Sequence, residues 1–269
     1  MKRLLLLVVA ALAAALLSAA PAGAQSGARI HLIHGIPNTP VDVEAGGANV
    51  FTNFQFGQTQ DLSSLAGQTL TGLKVKLAGT STVAIDAGDV ALPASGNYTV
   101  IAHLGATGTP TLTVFQNDTA RTAAGQGRLV VRHTAQAPAV DVLAGGQPVF
   151  RNLTNPNEAK ADLAAGTVSA SVVPAGATTP VVIGPADLSI QAGSSLIVYA
   201  VGSLDGGSIQ VLTETISGLG GAPTAVNTGN SPIEAGGTNL AVVAGLALLA
   251  VALVGGVVTG FTRPSRVKA

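Results

Sequence analysis

RIHLIHGIPNTPVDVEAGGANVFTNF at residues 29–54 and RLVVRHTAQAPAVDVLAGGQPVFRNL at residues 128–153 are one passage written twice, without a gap, at an offset of 99 residues. Arg29/Arg128, His34/His133, Val41/Val140, Asp42/Asp141, Val43/Val142, Gly46/Gly145, Gly47/Gly146, Phe51/Phe150 and Asn53/Asn152 are identical. A recurrence this dense marks a tandem duplication in which each copy is a folding unit. Within each copy the apolar residues alternate with a period of two, the periodicity of a half-buried strand. Arg29 to His34 reads as one strand. Val41 to Ala45 runs into Gly46-Gly47, a dipeptide suited to a two-residue hairpin whose central residues both take positive φ, and Asn49 to Phe54 returns. Gly145-Gly146 makes the same turn in the second copy.

Working outward, the same pattern predicts strands at Thr71 to Ala78, Thr82 to Ile85, Asn97 to Leu104 and Thr111 to Phe115, mirrored at Thr167 to Val173, Pro180 to Ile183, Ser195 to Val201 and Ser208 to Glu214. Short, evenly spaced strands without a long helical pattern predict an all-β fold of two tandem immunoglobulin-like or transthyretin-like β-sandwich domains. The first is expected over 25–118 and the second over 127–217, joined by a linker at 119–126. Hydrophobic residues make up 47% of the 269 but aromatics only 3%, with no Trp, so Val, Ile, Leu and Ala must build the cores. β-Branched side chains suit that task on a pleated surface.

The two ends read differently. Lys2 and Arg3 precede an apolar run from Leu4 to Leu17, and Ala22-Gly23-Ala24 supplies small residues for cleavage, so 1–24 is expected to be a signal peptide. Near the other end no charge falls between Leu240 and Phe261. These residues, at ~1.5 Å each, span the ~30 Å hydrocarbon core as a helix, and the expected span is 239–261. Arg263, Arg266 and Lys268 follow at once, which places the tail 262–269 in the cytoplasm and the repeats outside the cell. Residues 218–238, rich in Gly, Ala, Thr, Asn and Pro, read as a flexible stalk.

The passages at 29–51 and 128–150 resemble the bacterial domain of unknown function 4397 family. Its members open with a strand ending in His, then a Pro-containing loop, V-D-V, a hairpin turn and a returning strand. The likeness is specific at His34, Asp42, His133 and Asp141, covers residues 29 to about 216 if both copies count, and loosens after residues 54 and 153. The Ser-Pro-Asp that members often carry after the His is replaced by Gly35-Ile36-Pro37-Asn38 and Thr134-Ala135-Gln136-Ala137. The resemblance implies exported or surface-anchored sandwich domains and brings no activity with it.

Composition excludes several chemistries. Cysteine is absent, so neither disulfides nor thiolate ligands contribute. Between the expected signal peptide and tail, eight basic residues face all 13 acidic ones, a balance that disfavours nucleic acid. No G-x-S-x-G nucleophile elbow and no D-x-D-x-D calcium run occurs. Asp86 and Asp89 fall in AIDAGDV, which reads as a solvated turn rather than a pair of catalytic carboxylates. His31 and His34, three apart on a strand, point to opposite faces and cannot chelate together. His34/Asp42 and His133/Asp141 share a spacing of eight residues. The expectation is structural: each Asp accepts a hydrogen bond from its His across adjacent strands and fixes the first loop.

These readings predict a non-catalytic cell-surface protein without cofactor or metal, held by a single-pass membrane anchor and engaging a protein or cell-envelope polymer. The alternative is a ligand-binding or sensory ectodomain with its site at the junction of the repeats. A tail of eight residues cannot hold a signalling domain, so sensing would need a separate membrane partner.

Overall fold

The computed structural model describes residues 27–220. The predicted signal peptide (1–24), the stalk beyond Gly220, the spanning helix (239–261) and the tail (262–269) lie outside the described residues. Among the described residues, no helix is long and apolar enough to cross a membrane. The fold is all-β.

The first repeat consists of β1 (Arg29–His34), β2 (Val41–Ala45), β3 (Ala48–Phe54), β4 (Thr59–Asp61), β5 (Thr69–Leu77), β6 (Val83–Ala91), β7 (Asn97–Leu104) and β8 (Pro110–Gln116). The second consists of β9 (Gln126–Gln136), β10 (Val140–Ala144), β11 (Gln147–Leu153), β12 (Glu158–Ala164), β13 (Gly166–Pro174), β14 (Ile183–Ile190), β15 (Ser194–Ser203) and β16 (Gln210–Ser217). The sheet orders are β4-β1-β7-β8 and β3-β2-β5-β6 in the first repeat, and β12-β9-β15-β16 and β11-β10-β13-β14 in the second. Adding eight to each strand number converts one repeat into the other. The β1–β7 and β9–β15 pairs are parallel; the other strand pairs are antiparallel.

Each repeat closes its own core between its two sheets. Ile30 and Leu32 of β1 meet Val41 and Val43 of β2, Val75 of β5 and Val100 of β7. In the second repeat, Leu129 and Val131 meet Val140, Val142 and Val198. A third cluster crosses between repeats: Ile33, Ile101 and Phe115 pack with Val130, Ile197, Tyr199 and Val201. The sheets containing β1 and β9 are therefore the inner pair, covered on both faces. Their burial shows it, because β9 is buried without alternation from Gly127 to Ala135. A strand covered on both faces loses its polar alternation, as parallel pairs generally do.

The predicted strands differ from the structure where an edge strand carries little apolar signal. Residues 180–182 precede β14, which runs from Ile183 through Gly-Pro-Ala-Asp; as the edge of its sheet it tolerates Pro185. β4 and β12 escape the sequence pattern. EAKADLA of β12 favours helix by propensity, yet residue-by-residue pairing with β9 makes it a strand. Asp86 and Asp89 lie in β6 rather than in a turn; between them Gly88, at φ 62°, pairs with Leu73 of β5, and the register shifts on either side of that pair.

Between the repeats, β9 begins at Gln126, inside the stretch read as a linker. Thr122 donates its N–H to the Leu219 carbonyl at 2.9 Å and bridges Gly220. Leu219 is buried, so the chain stays fixed to this junction two residues into the stretch read as stalk.

Candidate functional site

The repeated His and Asp occupy different sheets and do not pair, which corrects the expected His–Asp hydrogen bond. His34 ends β1 on the core side, stacked on Phe54 with ring centroids 5.6 Å apart. It donates from Nε2 to the Thr39 carbonyl at 2.6 Å, and His133 donates likewise to the Pro138 carbonyl at 3.0 Å. Each His thus closes the loop that crosses from the inner to the outer sheet. Asp42 sits on β2 between Val41 and Val43, whose side chains enter the core, so its carboxylate leaves the opposite face. It accepts the N–H of Asn53 at 2.8 Å and of Gly79 at 3.0 Å; Asp141 accepts those of Asn152 at 2.7 Å and Gly176 at 3.0 Å.

Asn53 and Asn152 both have positive φ, 52° and 51°, at a bulge where two residues of β3 or β11 oppose one of the partner strand. Asp42 and Asp141 therefore tie a bulge to a turn, and these backbone N–H groups hold both carboxyls below the ordinary Asp value. Burial lowers the pKa of His34 and His133. Gly46 and Gly47, at φ 61° and 79°, and Gly145 and Gly146, at 57° and 79°, form the expected turns. His31 and His34 point to opposite faces of β1, as their spacing requires. In each copy, then, the His closes a loop, the Asp ties a bulge to a turn and the Gly pair turns a hairpin.

The most elaborate polar constellation lies instead between the inner sheets. Arg132 of β9 is 1% exposed, with its guanidinium carbon 4.3 Å from the centre of the Phe115 ring. It donates to Glu158 Oε2 at 2.8 Å, to the Tyr199 hydroxyl at 2.7 Å and to Asn117 Oδ1 at 2.7 Å. The Tyr199 hydroxyl donates onward to Glu214 Oε2 at 2.8 Å, and burial raises its pKa. Glu214 also accepts from Thr99 Oγ1 at 2.8 Å and from His31 Nδ1 at 2.7 Å. Asn117 returns its amide to Asn97 and Thr99. The network runs from β1, β7 and the end of β8 in the first repeat to β9, β12, β15 and β16 in the second. Its hydrogen bonds are directed and several of them end on charged groups, so it can hold two surfaces in one register.

The period-two pattern assigns Arg132 to the solvent side, because it leaves the core positions Leu129 and Val131 on the other face. One signal was available: Arg132 stands where the first copy has Ile33. A charge replacing an apolar residue at one position of a duplication marks a face that the two copies use differently.

At the end of the molecule where β9 and β15 finish, the repeats leave a cleft of about 400 Å³. Ala106 lines it from the first repeat, and Gln136, Pro138, Asn155 and Asp205 from the second. Asn155 closes its floor by donating to the carbonyls of Leu104 at 2.8 Å and Ala135 at 2.6 Å, one from each repeat. Among the described residues, no group of three or more His, Cys, Asp or Glu is placed to hold a metal ion.

Residues 28–143 match the model of the family described as Domain of unknown function (DUF4397). The match covers the first repeat and runs through the V-D-V passage of the second, and it supports the family that the two passages resemble. No curated protein matches the chain.

Proposed function

We propose that both repeats are copies of that family's domain and that together they form the ectodomain of a non-catalytic cell-surface protein. It acts as a stiff envelope spacer and an adhesion or interaction module. The chain is exported by the signal peptide 1–24 and anchored by the helix 239–261, with 262–269 in the cytoplasm. The observation that carries this reading is the joining of the inner sheets by the hydrogen bond of Arg132 to Asn117 and those of Glu214 with Thr99 and His31. Sliding or hinging of one repeat on the other would break these hydrogen bonds to charged groups, each of which contributes about 1.5 to 3 kcal/mol. That favours a rigid unit over two hinged modules.

Of the two sandwich types, the strand order favours the transthyretin-like one. An immunoglobulin domain groups its first strand with the second, fourth and fifth. Here the first strand lies with the fourth, seventh and eighth, and the second with the third, fifth and sixth.

Protease added to intact cells should remove the repeats and spare a tag placed after Ala269; the opposite result refutes the orientation. Copurification from detergent-solubilised membrane then tests the role. Recovery of envelope polymer or an adhesive partner supports the spacer, whereas a stoichiometric transporter or kinase subunit supports the alternative, a ligand-binding or sensory ectodomain. The specific observation behind that alternative is the cleft at the junction, walled by both repeats.

A further inference from the structure

The two sandwiches are not filled alike. Between the sheets of the first repeat lies a cavity of about 210 Å³, whereas the corresponding space in the second is about 60 Å³. Protein interiors pack as densely as organic crystals and hold few voids larger than a water molecule. An apolar void of ~150 Å³ stays dry and takes up benzene or xenon. Every side chain lining the cavity of the first repeat is Leu, Val, Ala or Phe. A water entering it would find no side-chain hydrogen-bond partner.

The difference has a structural origin. In the second repeat β12 keeps pairing with β9 as far as Ala164. In the first, β4 stops at Asp61 and the chain leaves the sheet in a 3-10 turn at Ser63–Leu65, where Leu62 and Leu65 become part of the cavity wall. The cavity also reaches the surface. Val50 on β3 and Val114 on β8 both line it while being 48% and 50% exposed. An apolar molecule therefore has a way in along the strand edges without unfolding the sandwich. At the position of Val114 the second repeat carries Thr213, which is not among the residues around its smaller void.

We propose that the interior of the first repeat is a binding site for a hydrocarbon, an uncharged aliphatic chain or chain end, and that the second repeat has no such site. Wall chemistry, size and access all select an apolar, flexible guest. A free hydrocarbon and the end of a lipid acyl chain share that chemistry. This site is independent of the spacer reading.

Two photoreactive probes distinguish the sources: a short alkane bearing a diazirine, and a phosphatidylglycerol bearing the same group at an acyl end. Each is supplied to membranes containing the full-length chain, and the crosslinked peptides are mapped after irradiation. The expected result is severalfold more label on β3 and β8 of the first repeat than on β11 and β16 of the second. Label from the alkane alone identifies a free hydrocarbon, and label from both probes an acyl chain. Ala102→Leu, which fills the cavity from β7, should abolish the excess while circular dichroism keeps its sheet signature. If that variant fails to fold, Ala87→Leu on β6 takes its place. Equal or absent labelling of the two repeats with both probes, or an excess that persists in a folded filled variant, overturns the proposal.

Discussion

On the face that each repeat turns to the other, three equivalent positions hold Ile33, Ile101 and Phe115 in the first copy and Arg132, Tyr199 and Glu214 in the second. Elsewhere the copies agree closely. The His that closes the crossing loop, the Asp that ties bulge to turn, the positive-φ Asn and the Gly-Gly hairpin recur with nearly the same distances and angles. The duplication has thus kept what each sandwich needs in order to form and has changed what the sandwiches show each other. Two identical apolar faces would pair with any copy of themselves and in more than one register. A charged set on one side, matched by Thr99, Asn117 and His31 on the other, admits one partner in one arrangement.

The largest expected effect breaks this asymmetry. Arg132→Leu leaves Glu158, Asn117 and Tyr199 without their donor and should lower stability by about 3 to 5 kcal/mol, the cost of breaking a buried pair. Urea unfolding measures it; a loss below about 1 kcal/mol would show that the network is not structural. The triple replacement Arg132→Ile, Tyr199→Ile and Glu214→Phe gives the second repeat the residues of the first. It should lose less than the single variant, because Tyr199 and Glu214 are removed together with Arg132 and the one carboxylate left without its partner, Glu158, is partly exposed.

The shared features should answer equally in both repeats. Asp42→Ala and Asp141→Ala each remove two acceptors from backbone N–H groups and should lower the thermal midpoint by similar amounts, about 2 to 6 °C. Unequal shifts would mean that the equivalence is only geometric. An effect of similar size is expected at the hairpins. Gly46→Ala and Gly145→Ala force a Cβ into left-handed backbone at a cost of about 1 to 2 kcal/mol, whereas Gly46→Asn should be nearly silent by the same unfolding measurement.

The most gradual effect is that of pH. Burial holds His34, His103 and His133 below the ordinary value of 6.5, so the unfolded chain binds protons there that the folded chain refuses. Stability is full above about pH 6.5 and falls as pH drops toward the folded values. The backbone-bonded Asp42 and Asp141 add a second loss below their ordinary value of 3.8. A midpoint measured from neutral pH downward should fall in two stages; a midpoint that rises on acidification contradicts the assignment.

Much of the fold was legible because each copy alternates. Arg29–His34, Val41–Ala45 and Asn97–Leu104 can be read to the residue, and the repeated Gly-Gly gives the hairpin. The edge strands β4 and β12 were not legible, since pairing with a neighbour rather than their own composition makes them strands. For the candidate site, repetition picked out His34, Asp42 and their counterparts, but the hydrogen bond expected between them is not the one they make. The eight-residue spacing could not show that β1 and β2 belong to different sheets.

By itself, the sequence determined the duplication, the all-β character, the hairpin turns and the separation of His31 from His34, all consequences of local periodicity and backbone sterics. Tertiary structure alone decided that the inner sheets meet, that Arg132 is buried rather than solvated, and that one sandwich encloses a cavity while the other closes. Those outcomes depend on which faces come together over long separations in the chain, and a period of two records only that a face exists, not what will cover it.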